Sequence, residues 1–258
     1  MRILIRTAKF KKAMCDELLV RRRFCYIGLV ESQLEKNLAA VQARIEQTAL
    51  RSGRNANEVK LVAVSKTHPA TVLTEAIAAG IKTFGENKVQ EAHDKIPEVG
   101  REKAEWHLIG HLQSNKARKA VQLFDVIESL DSLELAERLE RICLEEGRES
   151  LSVFVQVDLA NEETKSGVTE NELSELLEFL QGCKVLKLDG LMIVPPYFDD
   201  IESVRPYFQR LRLIRDKLLP NGGLSMGMSH DFEIAIEEGA TVVRVGTAIF
   251  GQRGVSHG

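Results

Sequence analysis

Residues 60–69 read KLVAVSKTHP, and the fold turns on how this stretch is read. Leu61, Val62, Ala63 and Val64 are apolar on both faces of an extended chain, the pattern of a parallel strand covered on both sides. The run ends at Ser65 and Lys66, and Pro69 stands where a helix can begin. A strand that feeds a helix is one βα unit. How often it recurs decides between a small open sheet and a closed one.

It recurs to the end of the chain. Strands are predicted over 82–85, 105–110, 126–130, 151–159, 188–194, 224–228 and 241–245. Helices are predicted between them: 69–80, from about Asn87, 114–123, from a cap at Asp131 or Ser132 to Glu146, 170–180, 201–218 after Pro195 and Pro196, and 232–238. Working backward, Leu34, Leu38, Val41, Ile45 and Ala49 recur at three- and four-residue steps, one apolar face of a helix that Ser52, Gly53 and Asn55 end. About eight βα units in 258 residues, with no block of antiparallel strands, predict a single (β/α)8 barrel of the TIM type. Such a barrel binds its ligand at the C-terminal ends of the strands, so functional residues are expected just after each one.

Composition narrows the partners. At 44% hydrophobic and 28% charged, the chain is ordinary for a globular protein and can bury a large core. Cys15, Cys25, Cys143 and Cys183 are scattered and form no CxxC pair, which argues against structural zinc or a disulfide framework and favours a reducing cytoplasm. No apolar run is long enough to cross a membrane, and a net charge of −3 points to no nucleic-acid partner. The charge is uneven: residues 1–28 carry about +6 and the remainder about −9. That segment lacks an apolar signal core, and its first serine comes only at Ser32, so neither a secretory nor a mitochondrial leader fits. It reads as a basic arm, or as an upstream start with Met14 or a later site as the true beginning. The barrel is then assigned to residues 29–258.

Lys66 shares parity with Val62 and Val64, which aims it into the barrel mouth. Partial burial lowers a lysine pKa and supplies the neutral amine that Schiff-base chemistry requires; the bland alternative is a solvated surface lysine. A phosphate cradle is expected at the ends of strands 7 and 8, where Ser229 and Thr247 offer hydroxyls and Gly246 allows close backbone approach. Gly222 and Gly223 read as turn formers. Neither a P-loop nor a dinucleotide fingerprint is present. His107 and His111 straddle a strand end without a carboxylate at metal-ligand spacing, and read as satisfied histidines rather than ligands. Lys165 closes a polar loop, 158–165, on the same face.

Longer motifs then match a known family. VSK at 64–66, FGENK at 84–88, WHLIGHLQSNK at 106–116, KSG at 165–167, GLM at 190–192, SMGMSHD at 225–231 and RVGTAIFG at 244–251 resemble the pyridoxal 5′-phosphate (PLP) homeostasis proteins. The resemblance spans roughly residues 31–253 and leaves the basic arm outside. It implies a barrel like the N-terminal domain of alanine racemase, without that enzyme's second domain, and a monomer. It implies PLP as cofactor, held as a Schiff base on Lys66, with Ser229, Gly246 and Thr247 on the phosphate, Arg244 near the pyridine nitrogen and Asn87 lining the pocket. The family's frequent second lysine falls at His68 here, which leaves Lys165 as the secondary amine for docking or hand-off.

The function implied is a PLP carrier or regulator serving apo PLP-dependent enzymes, without robust catalysis. Racemisation needs a strong electron sink and two bases. Arg244 leaves the ring nitrogen neutral, and of Tyr26, Tyr197 and Tyr207 only Tyr197, after the sixth strand, can reach the mouth. The alternatives are a PLP-dependent racemase or related enzyme, and a lysine aldolase that binds its substrate directly.

Overall fold

The computed structural model describes residues 32–160 and 166–251. The basic arm, with the boundary drawn at residue 28, and Lys165 lie outside them.

Eight parallel strands close into one barrel in the order β1 to β8, with β8 returning beside β1. They are β1 (Lys60–Val64), β2 (Thr83–Glu86), β3 (Glu105–Leu108), β4 (Val126–Leu130), β5 (Leu151–Gln156), β6 (Leu186–Met192), β7 (Gly223–Met228) and β8 (Val242–Val245). The helices are α1 (Gln33–Arg51), α2 (Ala70–Ala78), α3 (Val89–Val99), α4 (Ala117–Leu123), α5 (Leu133–Glu145), α6 (Glu170–Gly182), α7 (Arg205–Leu218), α8 (Phe232–Glu237) and α9 (Thr247–Phe250). The (β/α)8 barrel expected from the sequence is the one observed. Ser132 caps α5 by accepting the Leu135 N–H, one of the two caps anticipated.

α1 precedes the first strand and closes the outer layer near β8. Asn37 donates to Ile249 O (2.9 Å), and Arg44 pairs with Glu233 (2.8 Å) while lying 4.5 Å over the Phe232 ring. Arg54, just past its end, donates to the carbonyls of Ile236 and Ala240, both at 2.9 Å. The predicted apolar face is the buried one: Leu38, Val41, Ile45 and Ala49.

Two bodies of apolar packing result. The larger lies between sheet and helices and takes one face of every strand, including Phe84, Trp106, Ile127 and Val243. The smaller fills the barrel lumen with Val62, Val126, Phe154, Met192 and Val242. Alternation along each strand separates the two.

Sequence expectations need correction at strand ends and at one glycine: β3 stops at Leu108 rather than 110, and β6 runs over Leu186–Met192 rather than 188–194. β5 stops at Gln156 rather than continuing to 159, because Val157 leaves to bridge Val168. Gly222 is in a turn, with its N–H on Leu219 O (2.7 Å), but Gly223 begins β7. A Cβ on its ladder neighbour Gly190 would come within 2.2 Å of the Gly223 carbonyl, so this glycine pair permits close strand approach. Among the described residues no helix is long and apolar enough to cross a membrane. Cys143 and Cys183 are free thiols, pushed up by burial to about 11.

Candidate functional site

The site is built at the C-terminal mouth from two braced turns. The first follows β1. Lys66 is half-buried, two residues past the strand. The Ser65 N–H donates to Gly85 O (3.0 Å), and its hydroxyl donates to Glu86 Oε1 (2.6 Å). Lys95, reaching in from α3, donates to Ser65 O (2.9 Å) and to Glu86 (2.7 Å). Burial pushes the Glu86 carboxyl up, against the Lys95 charge and the hydrogen bonds from Lys95 and Ser65. Thr67 takes a left-handed backbone (φ 69°), and its N–H meets Glu91 Oε1 at 2.7 Å. A non-glycine residue held there is strained, and the surrounding contacts hold it. His68 packs on Phe250, ring centroids 4.9 Å apart, which ties this turn to α9.

The second turn joins β8 to α9. The Ser229 hydroxyl, arriving from the end of β7, accepts the N–H groups of Gly246 (3.1 Å) and Ala248 (3.4 Å). A Cβ on Gly246 would sit 3.2 Å from Val64 O and 3.3 Å from Val64 Cβ, so glycine lets the end of β8 close on β1.

Between these turns lies a cleft of about 330 Å³. Lys66, Asn87, Ser229, Arg244, Gly246 and Thr247 all line it. The structure thus brings the six residues singled out in the sequence into one cavity. Val64, Ile109, Val194, Met228 and His230 supply apolar and aromatic wall. Asn87 Oδ1 is buried there without a hydrogen-bond partner, an acceptor available to a ligand donor.

Beneath the cleft the lumen turns polar. Arg244 donates to Ser225 Oγ (2.5 Å) and to Ile193 O (2.7 Å). Ser225 donates to Glu128 Oε2 (2.5 Å), and Glu128 Oε1 meets His107 Nδ1 (2.5 Å). Glu105 lies 3.5 Å from His107 Nε2 and pairs with Lys60 at 3.0 Å. Burial disfavours the charged His107 imidazole, but hydrogen bonds and charge from Glu105 and Glu128 prevail and push it up to about 9. The His107 hydrogen bond, helped by Lys60 and opposed by burial, pulls Glu105 down to about 2. Burial also raises Glu128, yet His107 and Arg244 outweigh it and the carboxyl is held low.

His107 and His111 part company. His107 is buried in this chain of side chains, while His111 is exposed on the rim and bonded to Asp131 (2.8 Å). Among the described residues no group of three His, Cys, Asp or Glu side chains is placed to hold a metal. Tyr197 is exposed and stacks on His230 at 5.6 Å, one ring removed from the cleft wall. Sequence reading passed over Glu128, Glu86 and Lys95. The signal for Glu128 was present: a glutamate in the middle of VIESL, where a strand buried on both faces has no solvent to offer it.

An amine, a guanidinium and a hydroxyl-and-glycine turn converging at the mouth of a (β/α)8 barrel define a class, and residues 36–254 match the alanine racemase N-terminal domain family. Within that class the chain belongs to the pyridoxal phosphate homeostasis protein family. It is 43% identical over 225 residues to the pyridoxal phosphate homeostasis protein of Aquifex aeolicus, covering 84% of this chain and 97% of that one. It is similar to PipY of Synechococcus elongatus solved without PLP, with 41% identity and a TM-score of 0.76, covering 85% of this chain and all of that one. The PipY structure with PLP bound matches at the same identity and coverage, with a TM-score of 0.73.

Proposed function

We propose that this chain binds PLP in the cleft, attached at Lys66, and acts as a carrier or regulator of the cofactor rather than as an enzyme. The observation that carries the reading is the convergence of all six residues on one cavity. The cavity also fits the group: Asn87 offers an unused acceptor, and Gly246 and Ala248 offer N–H groups that now meet only the Ser229 hydroxyl. When bound, the group supplies an aldehyde that condenses reversibly with a primary amine, expelling water and giving a yellow chromophore.

The chain's own residues then have distinct work. The Ser65–Glu86–Lys95 cluster fixes the turn from which Lys66 projects. Ser229, Gly246 and Thr247 would hold the phosphate, with Thr247 adding a hydroxyl donor to backbone N–H groups. Arg244 would set a fixed positive charge against the ring nitrogen and disfavour its protonation, which would weaken the ring as an electron sink. That is why a carrier is favoured over a racemase. Tyr197, stacked on His230 outside the wall, is poorly placed as a second base.

The test is reduction with borohydride, which turns the linkage into a stable secondary amine. The pyridoxyl label is expected on Lys66 by peptide mass spectrometry, and Lys66→Ala is expected to lose the violet absorbance. The loaded protein, mixed with an apo PLP enzyme, is expected to restore that enzyme's activity. Label found mainly on Lys165 sinks the attachment site; failure to deliver PLP sinks the carrier role.

A further inference from the structure

Under the cleft runs a line of four buried side chains, one each from β8, β7, β4 and β3: Arg244, Ser225, Glu128 and His107. The proposed function uses only the first. Apolar residues of similar volume often stabilise as well as a buried charged group, so stability alone gives no reason for the other three. The lumen beside the line is in fact filled that way, with Val62 in register with Arg244, Val126 with His107, and Met192 and Val242 with Ser225.

The geometry of the line has a direction. Glu128 lies 3.7 Å from the Arg244 guanidinium, beyond direct hydrogen-bond reach, with the Ser225 hydroxyl between them. Its other oxygen is bonded to His107 at 2.5 Å. The carboxylate is thus bound more closely to the imidazole than to the guanidinium. On the far side His107 faces Glu105 of its own strand, which Lys60 of β1 offsets, and the Asp189 carboxylate of β6 acts on it by charge. Arg244 is held directly only by a hydroxyl and a carbonyl; its acidic neighbours are Glu128 at 3.7 Å and the buried Asp231 just past the end of β7, and it opens on the cleft.

We infer that Glu128 and His107 are positioning residues for the cleft: Glu128 anchors Arg244 through Ser225, and His107 engages the Glu128 carboxylate from its other side, so that Arg244 presents more of its positive charge to an anionic ligand than Glu128 alone would leave it. The inference deepens the PLP reading and rests on it. The device amounts to an electrostatic setting made two side chains behind the ligand. It can be altered without touching any group that lines the cleft.

The experiment measures PLP affinity of the full chain by absorbance titration, with the thermal midpoint of the ligand-free protein followed alongside. His107→Gln leaves the Glu128 charge to offset Arg244, and PLP is expected to bind about tenfold more weakly, the effect of one unit charge in a poorly solvated site. Adding Glu128→Gln removes that carboxylate as well, and the double variant is expected to return to within about twofold of the unsubstituted chain. Mere loosening of the lumen would make the double variant worse, so restoration separates charge from structure. An unchanged affinity in His107→Gln, or a double variant weaker than the single one, overturns the inference. Should His107→Gln fail to fold, affinity is compared between the unsubstituted chain and the double variant from pH 7 to 10. The unsubstituted chain is expected to lose about tenfold relative to the double variant as His107 deprotonates near pH 9, and a constant ratio overturns the inference. An unsubstituted chain that binds no PLP overturns the proposed function; one that binds PLP but ignores these changes overturns the inference alone.

Discussion

Trp106 and His107 are consecutive in β3, both buried, and face opposite sides of the sheet. Trp106 lies in the shell between barrel and helices, stacked on Phe84 at 5.3 Å, with its indole N–H on Arg101 O at 3.1 Å. His107 lies in the lumen, between two carboxylates. The pair divides the molecule in two. The shell is apolar, large and continuous, and holds the barrel together. The lumen is small and carries a polar line from Arg244 at the mouth to Glu105 and Lys60 at the N-terminal strand ends, and it shapes the cleft. Alternation along a strand assigns one residue to each job.

The sharpest way to break this division is to damage the shell and look at the cleft. Trp106→Ala removes the largest fully buried side chain, and its loss is expected to cost about 3–5 kcal/mol of stability through lost burial and an unfilled cavity. Urea unfolding of the ligand-free protein measures that cost. Affinity for PLP in the folded fraction is expected to stay within about twofold, since Phe84, Asp125 and Arg101, the ring and hydrogen-bond partners of Trp106, do not line the cleft. A large loss of affinity would show that shell and lumen are not separable.

The next test acts on the lumen and reads stability as a function of pH. His107 stands at about 9 in the folded chain against an ordinary 6.5, so pairing favours its charged form. The stabilisation is complete below pH 6.5 and is lost as pH rises through 9. A shift of this size corresponds to about 3 kcal/mol, to be read as the fall in unfolding free energy between pH 6 and pH 10. In the double variant His107→Gln with Glu128→Gln, that portion of the fall is expected to vanish. An equal fall in both proteins would remove His107 from the account.

How much of this was legible in the sequence follows the same division. The shell repeats: each βα unit carries a strand apolar on both faces and a helix with one apolar stripe, so the eight-unit barrel could be read from 60–245 piece by piece. The mouth was legible because parity carries from Val62 and Val64 to Lys66, and because the family motifs fall at strand ends. Connectivity inside the lumen was not legible. Glu128 meets Ser225 across 97 positions of sequence only once the barrel has closed, and local pattern gives no hint of the pairing. Lys95 was hidden differently: on an amphipathic helix it looks like one more solvated lysine, until Glu86 and the Ser65 carbonyl are found beside it.

The smallest expected effect lies at the edge of the comparison, where the mouth meets solvent. Thr247 opens α9, is exposed, and lines the cleft beside Gly246. Neither shell nor lumen depends on it, so its replacement should leave stability alone and change only what the cleft holds. Thr247→Val keeps the shape and the β-branch, which the first position of a short helix tolerates, and removes one hydroxyl. A hydroxyl that donates to a phosphate dianion contributes about 1.5–3 kcal/mol, so PLP should bind roughly 10- to 100-fold more weakly. Pyridoxal, which has the same ring and aldehyde but no phosphate, should lose much less. The ratio of the two losses is the measurement, because each ligand controls for damage to the turn that would affect both. Equal losses would place Thr247 in the architecture of the mouth and take it off the phosphate; a loss confined to PLP would place the phosphate at the β8–α9 turn, beside the β1 end from which Lys66 projects.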